Sequence, residues 1–276
     1  MKLNNNVIVI TGGASGIGKA MAEEFHRRGG KVAIADINDQ QGQAVADSIN
    51  GIYVHCDATC EQDIVNLIEQ VENQLGAIDC FCSNAGLGRG EGSTAASASN
   101  EIWKLQLDIH LMSHVYAARA LLPRMLERGS GHLVQVSSAA GLLCQIGDAA
   151  YTASKHAACG FAKSLMLTHG DSGINVSLVC PMYVDTPLVG IPEGDNLEDY
   201  QGVISVEQAV NTIADGIEAN QFLIYTHPET AHHMQFQYAD NDAWISSMLA
   251  YKQQLYSSTN QSDVANFNVA EALRKR

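Results

Sequence analysis

VIVITGGASGIG, residues 7–18, is the stretch from which the fold can be read. Val7 to Ile10 are all β-branched with no polar interruption, the pattern of a strand covered on both faces rather than wet on one. Glycines at 12, 13, 16 and 18 then form a turn that leads directly into Lys19–Arg28, where apolar residues recur at helical spacing. Strand, tight turn and helix in that order open a βαβ unit. Such a turn suits a pyrophosphate, because backbone N–H groups at the helix start face an anion and no Cβ obstructs its approach.

Six further runs read as strands: Val32–Ala35, Ile52–His55, Ile78–Cys82, His132–Val136, Asn175–Val179 and Phe222–Tyr225. Between them Asp63–Leu75, Trp103–Glu127, Ala153–Thr168 and about Val206–Ala219 carry helical periodicity. The alternation predicts an α/β fold, a mostly parallel sheet with helices on both faces. No repeat or linker divides the chain, so residues 1–276 read as a single domain. Residues 187–202, with Gly190, Pro192 and Gly194 among four acids, read as a mobile substrate loop or short helical lid. Residues 257–276 read as a polar, partly frayed tail.

With 46% hydrophobic residues in 276, the chain can bury a substantial core. A net charge of −14 and a pI near 5.0 argue against nucleic acid or an anionic membrane as partner. No Lys or Arg stands between Lys163 and Lys252, a stretch rich in Asp and Glu, so a pocket wall built there disfavours anionic ligands. The seven cysteines lack the spacing of a zinc site and read as buried free thiols, with no metal expected. The first residues hold an apolar run too short for a signal peptide or a membrane span, and a reducing cytoplasm is expected.

The chemistry begins at Asp36, at the end of the second strand and eighteen positions after Gly18. A carboxylate there accepts hydrogen bonds from ribose hydroxyls and repels a 2′-phosphate. No Arg or Lys stands at Ala14, Ser15, Ile37 or Asn38 to offset that repulsion, so NAD is favoured over NADP. Tyr151 and Lys155 are four apart on one helix face, where an ammonium can favour the phenolate and make Tyr usable as an acid/base. Ser138, at the end of the fifth strand run, adds a hydroxyl at the same sheet edge.

TGGASGIG (11–18), Asp36, CDAT (56–59), SNAG (83–86), VSS (136–138), YTASK (151–155) and VCPMYVDTP (179–187) resemble, in order and spacing, the short-chain dehydrogenase/reductase family. The resemblance covers roughly residues 5–190 motif by motif and implies a Rossmann-type doubly wound sheet of seven parallel strands. It also implies a homo-oligomer, tetramer or dimer, joined through the helices at Trp103–Glu127 and Ala153–Thr168. By the same resemblance, Tyr151 exchanges a proton with the substrate oxygen, Ser138 orients that oxygen, and Lys155 lowers the Tyr pKa and holds the nicotinamide ribose. Cofactor contacts fall to Gly12, Ser15, Gly16, Ile17, Gly18, Asp36, Asp57, Ala58, Asn84, Ala85, Gly86, Tyr151, Lys155, Pro181, Val184 and Thr186. Ser137 matches no catalytic position and reads as structural.

Two departures stand out. Met182 replaces a usual Gly after Pro181, and either narrows the pocket or packs against it. His110 occupies the position of the family's active-site Asn. It reads either as a packed core residue or as a functional substitute able to join a proton relay. Substrate contacts are expected from Ser138, Leu143, Tyr151, Met182 and Val189, with Ala139, Leu142, Ile146, Ile191, Met234 and Phe236 as further walls. That lining favours an uncharged hydrophobic secondary alcohol or ketone as partner. The alternatives are a ketoacyl reductase and a non-catalytic NAD-sensing or scaffold protein.

Overall fold

The computed structural model describes residues 1–89, 94–259 and 269–275. In chain order the first half runs β1 (Val7–Thr11), α1 (Gly16–Arg27), β2 (Lys31–Asp36), α2 (Asp39–Ser48), β3 (Ile52–His55), α3 (Glu61–Leu75) and β4 (Cys80–Ser83). There follow α4 (Asn100–Leu107), a one-turn π-helical segment (Asp108–Met112), α5 (Ser113–Arg128), β5 (Gly131–Val136), α6 (Ala149–His169) and β6 (Ile174–Cys180). The remainder is β7 (Tyr183–Val184), β8 (Val203–Ile204), α7 (Val206–Glu218), β9 (Leu223–Tyr225), α8 (Glu229–Ala239), α9 (Asn241–Thr259) and α10 (Val269–Leu273).

Seven of these strands form one parallel sheet in the order β3-β2-β1-β4-β5-β6-β9. This is the Rossmann-type arrangement. Its strands are the seven apolar runs, and they are apolar throughout because both faces are covered: Ile8, Ile10 and Ile34 fall in one buried cluster and Val9, Ala33 and Phe81 in the other. The order in which successive strands are laid down reverses between β1 and β4, and that switch point opens a crevice at the C-terminal strand ends. Thr11 stitches it together. Its hydroxyl receives the backbone N–H of Asn84 (3.0 Å) and Ala85 (3.1 Å), so the Gly turn and the SNAG segment are held side by side.

Three features differ from the sequence reading. The single helix expected over Trp103–Glu127 is interrupted by the π-helical turn, which carries His110. Helices α2, α8 and α9 replace segments left unassigned, and β7 pairs with β8 in a small ribbon that fastens the base of the segment 185–202. Within the expected polar tail, Val269–Leu273 form a helix with Ala270 and Leu273 buried, while residues 260–268 and 276 lie outside the described residues. Of the seven cysteines, all free, Cys60 and Cys144 are exposed rather than buried. No described helix is long and apolar enough to cross a membrane.

Candidate active site

A cleft of about 780 Å³ runs along the C-terminal edge of the sheet, from the Gly turn at one end to Ser138, Tyr151 and Lys155 at the other. Gly12 and Gly18 of the turn have no room for a side chain. A Cβ on Gly18 would stand 2.0 Å from the Gly12 carbonyl oxygen; Gly12 itself has φ +66°, and a Cβ there would stand 2.9 Å from the Ala85 Cα. Asn84 locks this packing by donating from its side chain to the carbonyls of Thr11 (2.9 Å) and Gly12 (3.3 Å). The result is a bare backbone surface at the start of α1, which fits a pyrophosphate.

Asp36 lies beyond the turn, its carboxylate fixed by two backbone N–H groups, Ala14 at 3.0 Å and Asn38 at 3.0 Å. Those bonds hold a negative charge at the cleft's adenosine end, flanked by Ile37, Asp57 and Ala58. Among the described residues that line the cleft, Arg89 and Lys155 are the cationic ones, and neither is paired with Asp36.

At the opposite end Asp148 caps α6, its carboxylate accepting the backbone N–H of Tyr151 at 3.0 Å, which sets the first turn of the helix and the Tyr itself. Lys155, one turn on, lies with its Nζ 5.5 Å from the Tyr151 ring centroid and donates to the Val136 carbonyl at 3.2 Å. Burial pushes the Tyr151 phenol up to about 12, opposed by a hydrogen bond with Ser138, and pushes the Lys155 ammonium down to about 8. Ser138 also receives the Ala140 N–H (3.1 Å). Ser137 points elsewhere: it is buried and donates to the Lys155 carbonyl at 2.9 Å, a structural contact.

His110 is completely buried in the cleft floor, edge-on to Tyr151 with ring centroids 5.2 Å apart. Its Nε2 accepts the Leu87 backbone N–H (3.2 Å), and its Nδ1 meets the Ser154 hydroxyl (2.9 Å). The Ser154 proton is already donated to the Tyr151 carbonyl at 2.8 Å, so Nδ1 must carry the hydrogen and the tautomer is fixed. Burial first, then the Lys155 and His114 charges, hold the ring well below its ordinary pKa, and it stays neutral. Both nitrogens are thus occupied. The ring thereby joins the Leu87 N–H, just after the SNAG segment, through Ser154 to the Tyr151 carbonyl.

Among the residues expected to bind cofactor, Gly12, Ser15, Gly16, Ile17, Gly18, Asp36, Asp57, Ala58, Asn84, Ala85, Gly86, Pro181, Val184 and Thr186 all line the cleft. Of the substrate residues, Ser138, Tyr151, Met182 and Val189 line it, and Leu143 does not. The short turn at Ala139–Gly141 folds back, the N–H groups of Leu142 and Leu143 returning to the Ala139 carbonyl, and the chain leaves the cleft there. Leu142 turns into the core instead. Among the lining residues that escaped sequence reasoning, Leu87, Gly88, Arg89 and Leu188 sit in loops without a chemical signature, and Leu105 and Ile109 are apolar helical residues of a kind that also packs cores. His227 also escaped it. Buried beside the cleft, it accepts at Nδ1 from the Met182 N–H (3.4 Å) and donates from Nε2 toward the Tyr183 and Gly202 carbonyls, both at 3.2 Å.

Residues 6–193 match the family model of the short chain dehydrogenases. The chain belongs to the short-chain dehydrogenase family. It is 36% identical over 209 residues to tropinone reductase-like 1 of Erythroxylum coca, covering 74% of this chain and 76% of that protein. It is also 29% identical over 272 residues to (+)-borneol dehydrogenase 2 of Salvia officinalis, covering 95% and 93%. A short-chain dehydrogenase/reductase from Burkholderia phymatum, solved in complex with NAD, shares the fold with a TM-score of 0.78 at 24% identity, over 88% of this chain and 96% of that one. This short-chain dehydrogenase is accordingly an oxidoreductase with a nicotinamide cofactor.

Proposed function

We propose that this short-chain dehydrogenase interconverts an uncharged hydrophobic secondary alcohol and its ketone with NAD(H). One observation carries the reading: Ser138, Tyr151 and Lys155 border a single cleft whose far end is a tightly packed glycine turn and a fixed Asp36. When bound, the nicotinamide ring takes or gives the hydride equivalent. In the reducing direction Tyr151, protonated at neutral pH, gives its proton to the carbonyl oxygen while Ser138 donates a hydrogen bond to that oxygen. In the oxidising direction the Tyr151 phenolate, favoured by the positive charge of Lys155, takes the hydroxyl proton and becomes the phenol. Asp36, with both oxygens already fixed, meets ribose hydroxyls and repels a 2′-phosphate.

Leu87, Leu105, Ile109, Met182, Leu188 and Val189 give the substrate end an apolar lining, which supports a neutral alicyclic or aryl alcohol. The name of the Salvia relative, a borneol dehydrogenase, is consistent with that class. A second reading rests on Arg89, exposed and lining the cleft, which suits an alcohol bearing a carboxylate. We further infer a homo-oligomer, since Leu107 on α4, Leu126 on α5 and Leu167 on α6 are exposed at 36%, 37% and 88%, and a reducing, cytoplasmic compartment, since all seven cysteines are free. The deciding experiment follows NADH absorbance with aliphatic, cyclic, aryl and steroidal secondary alcohols and their carboxylated analogues. Turnover of neutral substrates is expected; faster turnover of the carboxylated set moves the assignment to Arg89, and none at all overturns the enzyme reading.

A further inference from the structure

The wall residue Val189 belongs to two surroundings at once. It lines the cleft, and it packs with Ile191, Tyr183 and Val203 against a small separate core of Tyr200, Ala270 and Leu273, which are 3%, 4% and 5% exposed. Two of those three buried residues come from α10, some seventy positions further along the chain. The backbone is joined as well. Tyr200 and Arg274 form an antiparallel bridge, the Gln201 N–H donates to the Leu273 carbonyl at 2.7 Å, and the Lys275 N–H donates to the Asp199 carbonyl at 2.6 Å. Side chains add to this: Lys275 Nζ donates to the Glu198 carbonyl (2.7 Å), and Arg274 lies 3.6 Å from Asp195 and over the Tyr200 ring at 5.9 Å. Tyr200 in turn donates its hydroxyl to Asp195 at 2.6 Å.

We infer that residues 269–275 are a specificity-determining clasp: they position the substrate loop from its outer side and so set how tightly the cleft holds its alcohol or ketone. The inference rests on the proposed function for the identity of that ligand, but not for the contact itself. A loop held in its binding conformation before the ligand arrives spares the cost of ordering it on binding. The base of the loop is already fastened by the β7–β8 ribbon and His227, so the clasp governs the middle, residues 189–201. The two basic residues 274 and 275 meet a segment holding Glu193, Asp195, Glu198 and Asp199, which gives the contact a charge preference in addition to its apolar one. The Arg274 to Asp195 pair is exposed and worth little by itself, so Leu273 is the residue to test.

In Leu273→Asp, with Leu273→Ala as a milder companion, hydrogen exchange across residues 188–203 is expected to rise by about tenfold or more, because the opening that exposes those amides is local. NADH affinity should stay within about twofold, while KM for the alcohol rises by about fivefold or more and kcat changes less. Leu273→Met, which keeps the buried volume, should restore both exchange and KM. Unchanged exchange in both disruptive variants overturns the clasp, as does raised exchange with an unaltered KM. A general loss of fold would instead move NADH affinity and the melting transition together, and the Leu273→Ala variant then decides. If the wild-type protein turns over no alcohol, the proposed function fails, and exchange together with binding of a ketone to the NADH complex still decides the clasp.

Discussion

Tyr151 and Lys155 share one buried environment, and it moves them in opposite senses: the phenol up to about 12 and the ammonium down to about 8, because each neutral form is easier to bury. Deleting the phenolic proton leaves that environment nearly intact. Tyr151→Phe should therefore lower turnover by about 10²–10⁴ while NADH binding stays within a few-fold, measured by steady-state kinetics and fluorescence titration. Retention of more than about a tenth of the activity would remove Tyr151 from the acid/base role. At the other end of the cleft, Asp36 is held by two N–H groups and cannot swing away from an added phosphate. Asp36→Ala with Ile37→Arg should shift preference toward NADPH, read as the ratio of kcat/KM for the two cofactors. A wild-type enzyme that already prefers NADPH would show that Asp36 does not select the cofactor. These residues were legible in the sequence because each sits at the end of a strand or on a helix face, where spacing fixes position. Arg89, Leu87 and Leu188 were not, since loop geometry decides whether they face the cleft.

The π-helical turn at Asp108–Met112 acts at the scale of an element. It widens the helix at the point where His110 must reach both Leu87 and Ser154, a frequent use of such insertions near functional sites. If His110 positions rather than relays, a side chain with one acceptor and one donor but no titration should serve. His110→Gln should keep most activity, and His110→Leu should lose about tenfold in kcat with the melting transition intact. Equal activity of the Leu variant would make the histidine a packing residue only. A Gln variant as impaired as Leu, with its pH profile also altered, would restore the relay. The periodic signal across Trp103–Glu127 runs straight through this turn, because one extra residue hardly disturbs an apolar pattern, and sequence reasoning therefore saw one uninterrupted helix. The strands were readable for the opposite reason, their apolar runs being bounded by glycine or polar residues. Helices α8 and α9 were hidden because they are largely exposed and lack a clear apolar stripe.

Across the whole molecule, four of the ten histidines, His110, His114, His132 and His227, are buried where protonation is unfavourable. Burial holds His114 down to about 3 and His132 down to about 4, and His110 is also lowered. The unfolded chain takes up these protons near the ordinary value of about 6.5, so below it the unfolded state binds more protons than the native one. Their stabilising contribution is complete above that pH and is lost as pH falls toward 4. Each of the two should cost about 2 kcal/mol by pH 5, visible as a lower urea midpoint between pH 7 and pH 5. His114→Gln should flatten that slope, and an unchanged slope would show that other groups govern acid unfolding.

The β7–β8 ribbon brings Tyr183 and Val203 side by side, so residues 185–202 leave and re-enter the fold at a single point. None of the seven strands of the main sheet depends on what lies between. In evolutionary terms this makes the part beyond Thr186 transplantable: a lineage can exchange it by insertion, deletion or recombination, and with it the molecules the cleft accepts, while Thr186 and the inherited nucleotide cradle are left undisturbed.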